Sequence, residues 1–145
     1  MSKVFLASDH AGYSLKEELV AFVVSLGYEV EDMGPFALDE GDDYPDFITP
    51  CAKKVASTAD SFGVVLGGSG QGEAMAANRT KDVRAAVFYG GSLDIVRLSR
   101  EHNDANVLSL GARFLTVTEA QTAVKLFLST SFSGEESHAR RIAKF

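Results

Sequence analysis

The chain has 145 residues, 46% hydrophobic and 23% charged, the size and make-up of one globular domain with room for a core. This excludes a disordered tail, a collagen-like repeat and a small disulfide scaffold. The net charge of −6 argues against nucleic acid as a partner.

The acidity is uneven. Eight acids between Glu29 and Asp46 stand without a Lys or Arg among them, which leaves the rest of the chain at +2. The simplest reading of that run is a solvated acidic loop, and a small anionic ligand elsewhere stays compatible with the total charge. Cys51 is the only cysteine, which predicts a reducing, cytoplasmic home. Asp9 arrives too early for a signal-peptide core, and no apolar run reaches membrane-spanning length, so no membrane partner is expected.

Val4 to Ala7 reads as a buried strand. Leu15, Leu19, Phe22, Val23 and Leu26 mark one face of a helix that Gly27 stops. Tyr28 to Glu31 alternates as an edge strand would, and Pro45 suits the first turn of a helix running to about Ser57. Phe62 to Leu66 is a second buried strand, entering Gly67-Gly68-Ser69-Gly70-Gln71-Gly72 and a helix through Asn78. Val83 to Phe88 predicts a strand, Leu93 to Arg100 a helix, and Val107 to Leu110 a fifth strand. Thr118 and Gln121 have capping-box spacing for the next helix, and Glu135 to Phe145 reads as a terminal one. Strands interleaved with helices predict an α/β fold, a parallel sheet covered on both faces within one domain over residues 1–145. Ligands of such sheets sit beyond the carboxyl ends of the strands. The loops to search are therefore Ser8 to Gly12, Gly67 to Glu73, Tyr89 to Ser92 and Gly111 to Arg113.

Four glycines in six residues between a strand and a helix let backbone N–H groups converge on an anion or oxyanion. The dinucleotide fingerprint fails, because Glu73 occupies the third glycine's place, and a Walker A loop lacks its Lys-Ser or Lys-Thr pair. A nucleophile elbow at Ser69 fails at Gln71, although a serine hydrolase with Ser69 as nucleophile and His102 as base remains an alternative. Glu73, in the first helical turn beside these donors, suits proton abstraction next to a carbonyl, and equally a plain helix-dipole partner. Asp9-His10 follows the first strand and His102-Asn103 precedes the fifth; both histidines read as lying at the ligand end of the sheet. Arg113, His138, Arg140 and Arg141 are available to a phosphate.

Taken together, Ser8-Asp9-His10-Ala11-Gly12, Asp43-Tyr44-Pro45, Gly67 to Glu73, Ala76-Ala77-Asn78, Arg100-Glu101-His102-Asn103-Asp104 and Gly111-Ala112-Arg113 resemble the type-B ribose-5-phosphate isomerase family. These motifs run through nearly the whole chain in family order. The resemblance implies a three-layer α/β/α sandwich with a five-stranded parallel Rossmann-like sheet. It also implies homodimers with active sites at the subunit interface, with pairing into tetramers left open, and needs no cofactor or metal. One branch of that family uses a cysteine base at the position that is Gly67 here; the chain resembles the other, glutamate branch, with Gln71 replacing the usual asparagine. Carried over, Glu73 moves a proton between C2 and C1 of the opened sugar. Ser69 and the N–H groups of Gly68, Gly70 and Gly72 stabilise the enediolate. His102 of a second subunit assists ring opening, with Asp9, Asn103 and Tyr44 on the substrate. His10, Arg113 and Arg141 grip the phosphate.

The chain departs from the family at Ser137, where an arginine is usual, and in Tyr89 to Ser92, which is about two residues longer. Substrate length could be read at both, so allose 6-phosphate or galactose 6-phosphate stands as the alternative to ribose 5-phosphate. A sugar-phosphate binding module without catalysis is a further reading.

Overall fold

Alternation along the buried strands sorts their side chains to two faces, and each face gathers its own helices. The computed structural model describes residues 2–145. Strands β1 (Lys3–Ser8), β2 (Glu29–Asp32), β3 (Ser61–Gly67), β4 (Ala85–Phe88) and β5 (Val107–Gly111) form one sheet in the order β2-β1-β3-β5-β4. Every pairing is parallel. Val4, Leu6, Val64, Leu66, Leu108 and Leu110 face helices α1 (Tyr13–Ser25), α4 (Asp94–Glu101) and α5 (Val117–Ser129). Phe5, Ala7, Val65 and Val107 face α2 (Pro45–Ser57) and α3 (Gln71–Ala77). A short helix, α6 (Glu136–Ile142), ends the chain. This is the expected three-layer sandwich. Among the described residues no helix is long and apolar enough to cross a membrane.

Three local expectations shift. The capping box is Thr116 and Glu119, not Thr118 and Gln121: Glu119 N–H donates to Thr116 Oγ1 (3.1 Å) and Thr116 N–H to Glu119 Oε1 (3.0 Å). Both pairs share one spacing, but only Thr116 has the extended backbone that a cap requires; Thr118 is already helical. The fourth strand starts at Ala85 rather than Val83, because the Asn106 side chain holds Arg84 N–H (2.8 Å) and Asp82 C=O (2.9 Å) in a loop. The terminal helix closes at Ile142.

The acidic run is not simply solvated either. Glu29 and Glu31 pair with Lys3, Asp32 with the fully buried Lys16, and Asp42 with His10. Asp39, Glu40, Asp43 and Asp46 are exposed.

The register places the ends of three strands together. Ser8 lies beside Leu66, and Gly67 beside Gly111. The loops leaving β1, β3 and β5 therefore open on the same edge.

Candidate active site

Gly67 ends β3, and the chain then turns through Gly70, which has a φ of +79°. A side chain there would be strained by the backbone and would press on Leu110. Ser109, from the neighbouring strand, donates its hydroxyl to Gly70 C=O at 2.6 Å and ties the turn to the sheet. Helix α3 starts directly afterwards and carries Glu73 in its first turn.

Glu73 is 4% exposed, and its carboxyl fills the space that a side chain on Gly67 would need. A methyl group at position 67 would coincide with Glu73 Oε1. The missing side chain is thus what lets the carboxyl stand at the mouth of the loop. Burial pushes the Glu73 pKa above the ordinary carboxylate value of 4.5; the charge of Asp9 adds to this, and a backbone hydrogen bond partly offsets it. Asp9 is itself buried, with Oδ1 accepting the Gly12 N–H at 3.0 Å.

Two cationic groups stand on the same edge. The Arg113 guanidinium lies against Gly68, where an added Cβ would be 2.9 Å from it, and Arg113 N–H donates to Gly68 C=O at 3.1 Å. His10 Nδ1 lies 2.9 Å from Asp42 Oδ1. The pKa of His10 is raised, chiefly by this hydrogen bond and further by the charges of Asp9 and Asp42, while desolvation and Arg113 pull it down. Tyr44, at the start of α2, sets its hydroxyl over Gly72, 2.6 Å from where a Cβ would be. The half-buried Ser69 accepts the Gln71 N–H on Oγ at 3.2 Å.

His102, Asn103 and Arg141 are elsewhere, which corrects the expectation that both histidines share one end. Helix α4 runs back against the strands, so the residues after it lie at the amino edge of the sheet. Asp104 C=O there accepts from the Arg84 side chain, just before β4 (2.7 Å). The exposed His102 ring stacks on His138 of α6 at 4.2 Å between centroids, and the exposed Arg141 is on the same helix. Asn103 lines a groove of about 880 Å³ with Lys81, Arg84, Ile142 and Phe145. Strand β5 alone puts roughly 15 Å between the two clusters. Ser69 and His102 therefore form no dyad within one chain.

Asp42 is the site residue that sequence reasoning missed. Its only signal was membership of an acidic run, which does not distinguish the one carboxylate that turns inward.

An open parallel sheet that presents a glycine loop, a buried carboxyl and two cationic side chains on its carboxyl edge has the parts for acid–base chemistry on a small anion. Comparison with known proteins narrows the class. The chain belongs to the Ribose/Galactose Isomerase family, whose model matches residues 4–145. Ribose-5-phosphate isomerase B of Mycolicibacterium paratuberculosis is 41% identical over 140 residues, 97% of this chain and 87% of that protein. The structure of ribose 5-phosphate isomerase B from Anaplasma phagocytophilum superimposes with a TM-score of 0.92 at 42% identity, covering 99% of this chain and 96% of that one. The Mycoplasma genitalium enzyme, solved with bound ribulose-5-phosphate, also gives 0.92, at 40% identity over 98% of this chain and 92% of that one.

Proposed function

We propose that the protein is a cytoplasmic aldose–ketose isomerase that interconverts ribose 5-phosphate and ribulose 5-phosphate through a cis-enediolate. The observation that carries this reading is the Glu73 carboxyl, buried at the mouth of the glycine loop in space that Gly67 leaves free. The names of its relatives, and the bound product of one structural neighbour, support the substrate.

Glu73 in its ionised form takes the C2 proton of the open-chain sugar and returns it to C1, while the proton of the C2 hydroxyl passes to the C1 oxygen, which leaves an alcohol at C1 and the ketone at C2. Its raised pKa makes it a stronger base than a solvated glutamate. The negative charge that develops on the C1 oxygen is met by Ser69 and by the loop N–H groups of Gly68, Gly70 and Gly72, fixed before the substrate arrives. His10 and Arg113 hold the phosphate at one end of the sugar. Asp9 and Tyr44 face its hydroxyls.

His102, Asn103 and Arg141 join this set from a second copy. Their place at the amino edge puts them out of reach of their own chain's loop, so each complete site requires two subunits, and the functional unit is a homodimer. His102 opens the ring, Asn103 holds a hydroxyl, and Arg141 adds a third cation to the phosphate. The test is turnover of ribose 5-phosphate by purified protein, with Glu73→Gln as the diagnostic variant. Full parental turnover by that variant removes Glu73 as the base. A higher kcat/KM on allose 6-phosphate or galactose 6-phosphate than on ribose 5-phosphate reassigns the substrate.

A further inference from the structure

Asp42 sits on the long loop between β2 and α2, yet its side chain is only 5% exposed. One oxygen, Oδ1, serves His10 twice: it takes the backbone N–H at 3.3 Å and faces the ring Nδ1 at 2.9 Å. The other oxygen, Oδ2, is buried with no protein partner. These two residues are 32 positions apart, so the contact fixes the loop and the ring together.

We infer that Asp42 is a positioning residue for His10, holding Nδ1–H toward the loop so that Nε2–H is left to donate to the substrate's phosphate. This deepens the proposed function and rests on its assignment of His10 to the phosphate.

A carboxylate accepts only, so the nitrogen facing Asp42 carries the proton, and in the neutral ring Nε2 would then be an acceptor, the wrong polarity for a phosphate oxygen. Only the imidazolium donates at both ends. The groups facing His10 decide whether it stays cationic. Asp42 and Asp9 favour the cation, whereas Arg113, which approaches the same ligand, and partial desolvation oppose it. Without Asp42, two cations gathered for one phosphate would repel each other, and His10 would give up its proton first. Asp42 in turn depends on the pair, because its second oxygen lacks a protein donor and its negative charge has no other cation contact among the described residues.

Asp42→Asn keeps the shape and an acceptor for the His10 N–H but removes the charge. The expected result at pH 8 is a KM for ribose 5-phosphate about tenfold higher, the loss of one charge-assisted hydrogen bond, with a smaller rise at pH 6. Imidazole NMR on labelled protein reads the pair directly, with inorganic phosphate as the probe ligand. The titration midpoint of His10 falls in Asp42→Asn and holds in Glu40→Gln, which removes a charge from an exposed position of the same loop. The NMR spectrum also reports whether the variant is folded. In a His10→Gln background, adding Asp42→Asn leaves KM unchanged, which separates positioning from general destabilisation. An unmoved His10 midpoint in Asp42→Asn overturns the inference. A lowered midpoint with unaltered phosphate affinity confirms the pair but removes His10 from the phosphate site, placing the failure in the functional assignment.

Discussion

Gly67→Ala puts the proposed base to a test that leaves Glu73 itself intact. Gly67 does not lie at positive φ, so alanine fits its backbone, and the nearest obstacle is the Glu73 carboxyl, whose Oε1 occupies the new methyl position. Normal van der Waals separation requires the carboxyl to retreat by about 2 Å. Misplacing a reacting group by about 1 Å can cost a hundredfold, so kcat on ribose 5-phosphate should fall at least about 100-fold. KM should change far less, since the phosphate groups are untouched. Overpacking by one methyl costs about 1–3 kcal/mol when nothing yields, visible as a lowered thermal midpoint. A Glu73→Ala background removes the atoms nearest the new methyl, so Gly67→Ala should then cost less stability and no further activity. Steady-state kinetics and circular-dichroism melts on the four proteins of this cycle measure all of it. A Gly67→Ala enzyme that keeps kcat within about threefold of the parent refutes the reasoning, because the carboxyl would then not be needed where it stands.

Glu73→Gln should lower kcat by about 10²–10⁴-fold. The folded pKa of Glu73 lies above its unfolded value, so its contribution to stability is most favourable below pH 4.5 and declines as pH rises through the folded value. The glutamine variant should therefore melt higher than the parent at neutral pH, and an equal or lower midpoint there contradicts the burial of an ionised carboxyl. The same shift places the acid limb of the kcat/KM profile above pH 4.5; a limb at or below that value would point to a different base. Mixing Glu73→Gln with His102→Ala protein, each inactive alone, should restore about a quarter of parental activity after subunit exchange, because a mixed dimer rebuilds one intact site. No recovery would mean that both residues serve the same site from one chain. Thr116→Ala should cost about 1 kcal/mol in a melt with kcat unchanged; no loss would deny the cap its role.

The fold was legible because burial on both faces leaves continuous apolar runs such as Val64-Val65-Leu66, and the glycine loop was legible because turn chemistry is local. What escaped depends on geometry that the linear pattern does not carry. The ambiguity between two capping boxes two residues apart is resolved only by backbone angles at Thr116. The sequence reading puts His102 with His10 at the ligand end of the sheet, although a residue that follows a crossover helix returns to the opposite edge. Asp42 could not be singled out from its acidic neighbours, since only the folded loop turns it toward His10. In the sequence Gly67 is one of four loop glycines, and its service to Glu73 appears only when the two are placed side by side.

Asn78 closes the sheet's outer edge in a way that bears on how copies can meet. Its side-chain amide receives the Ala85 N–H at 2.7 Å and donates to the Ala85 C=O at 3.1 Å, taking the place that a sixth strand would fill. An incoming β-strand, from another copy or from an unfolded chain, finds those backbone groups already engaged at the first residue of β4. Growth by strand addition is blocked there. An Asn78→Ala protein should therefore show its defect first as aggregation on heating rather than as lost catalysis.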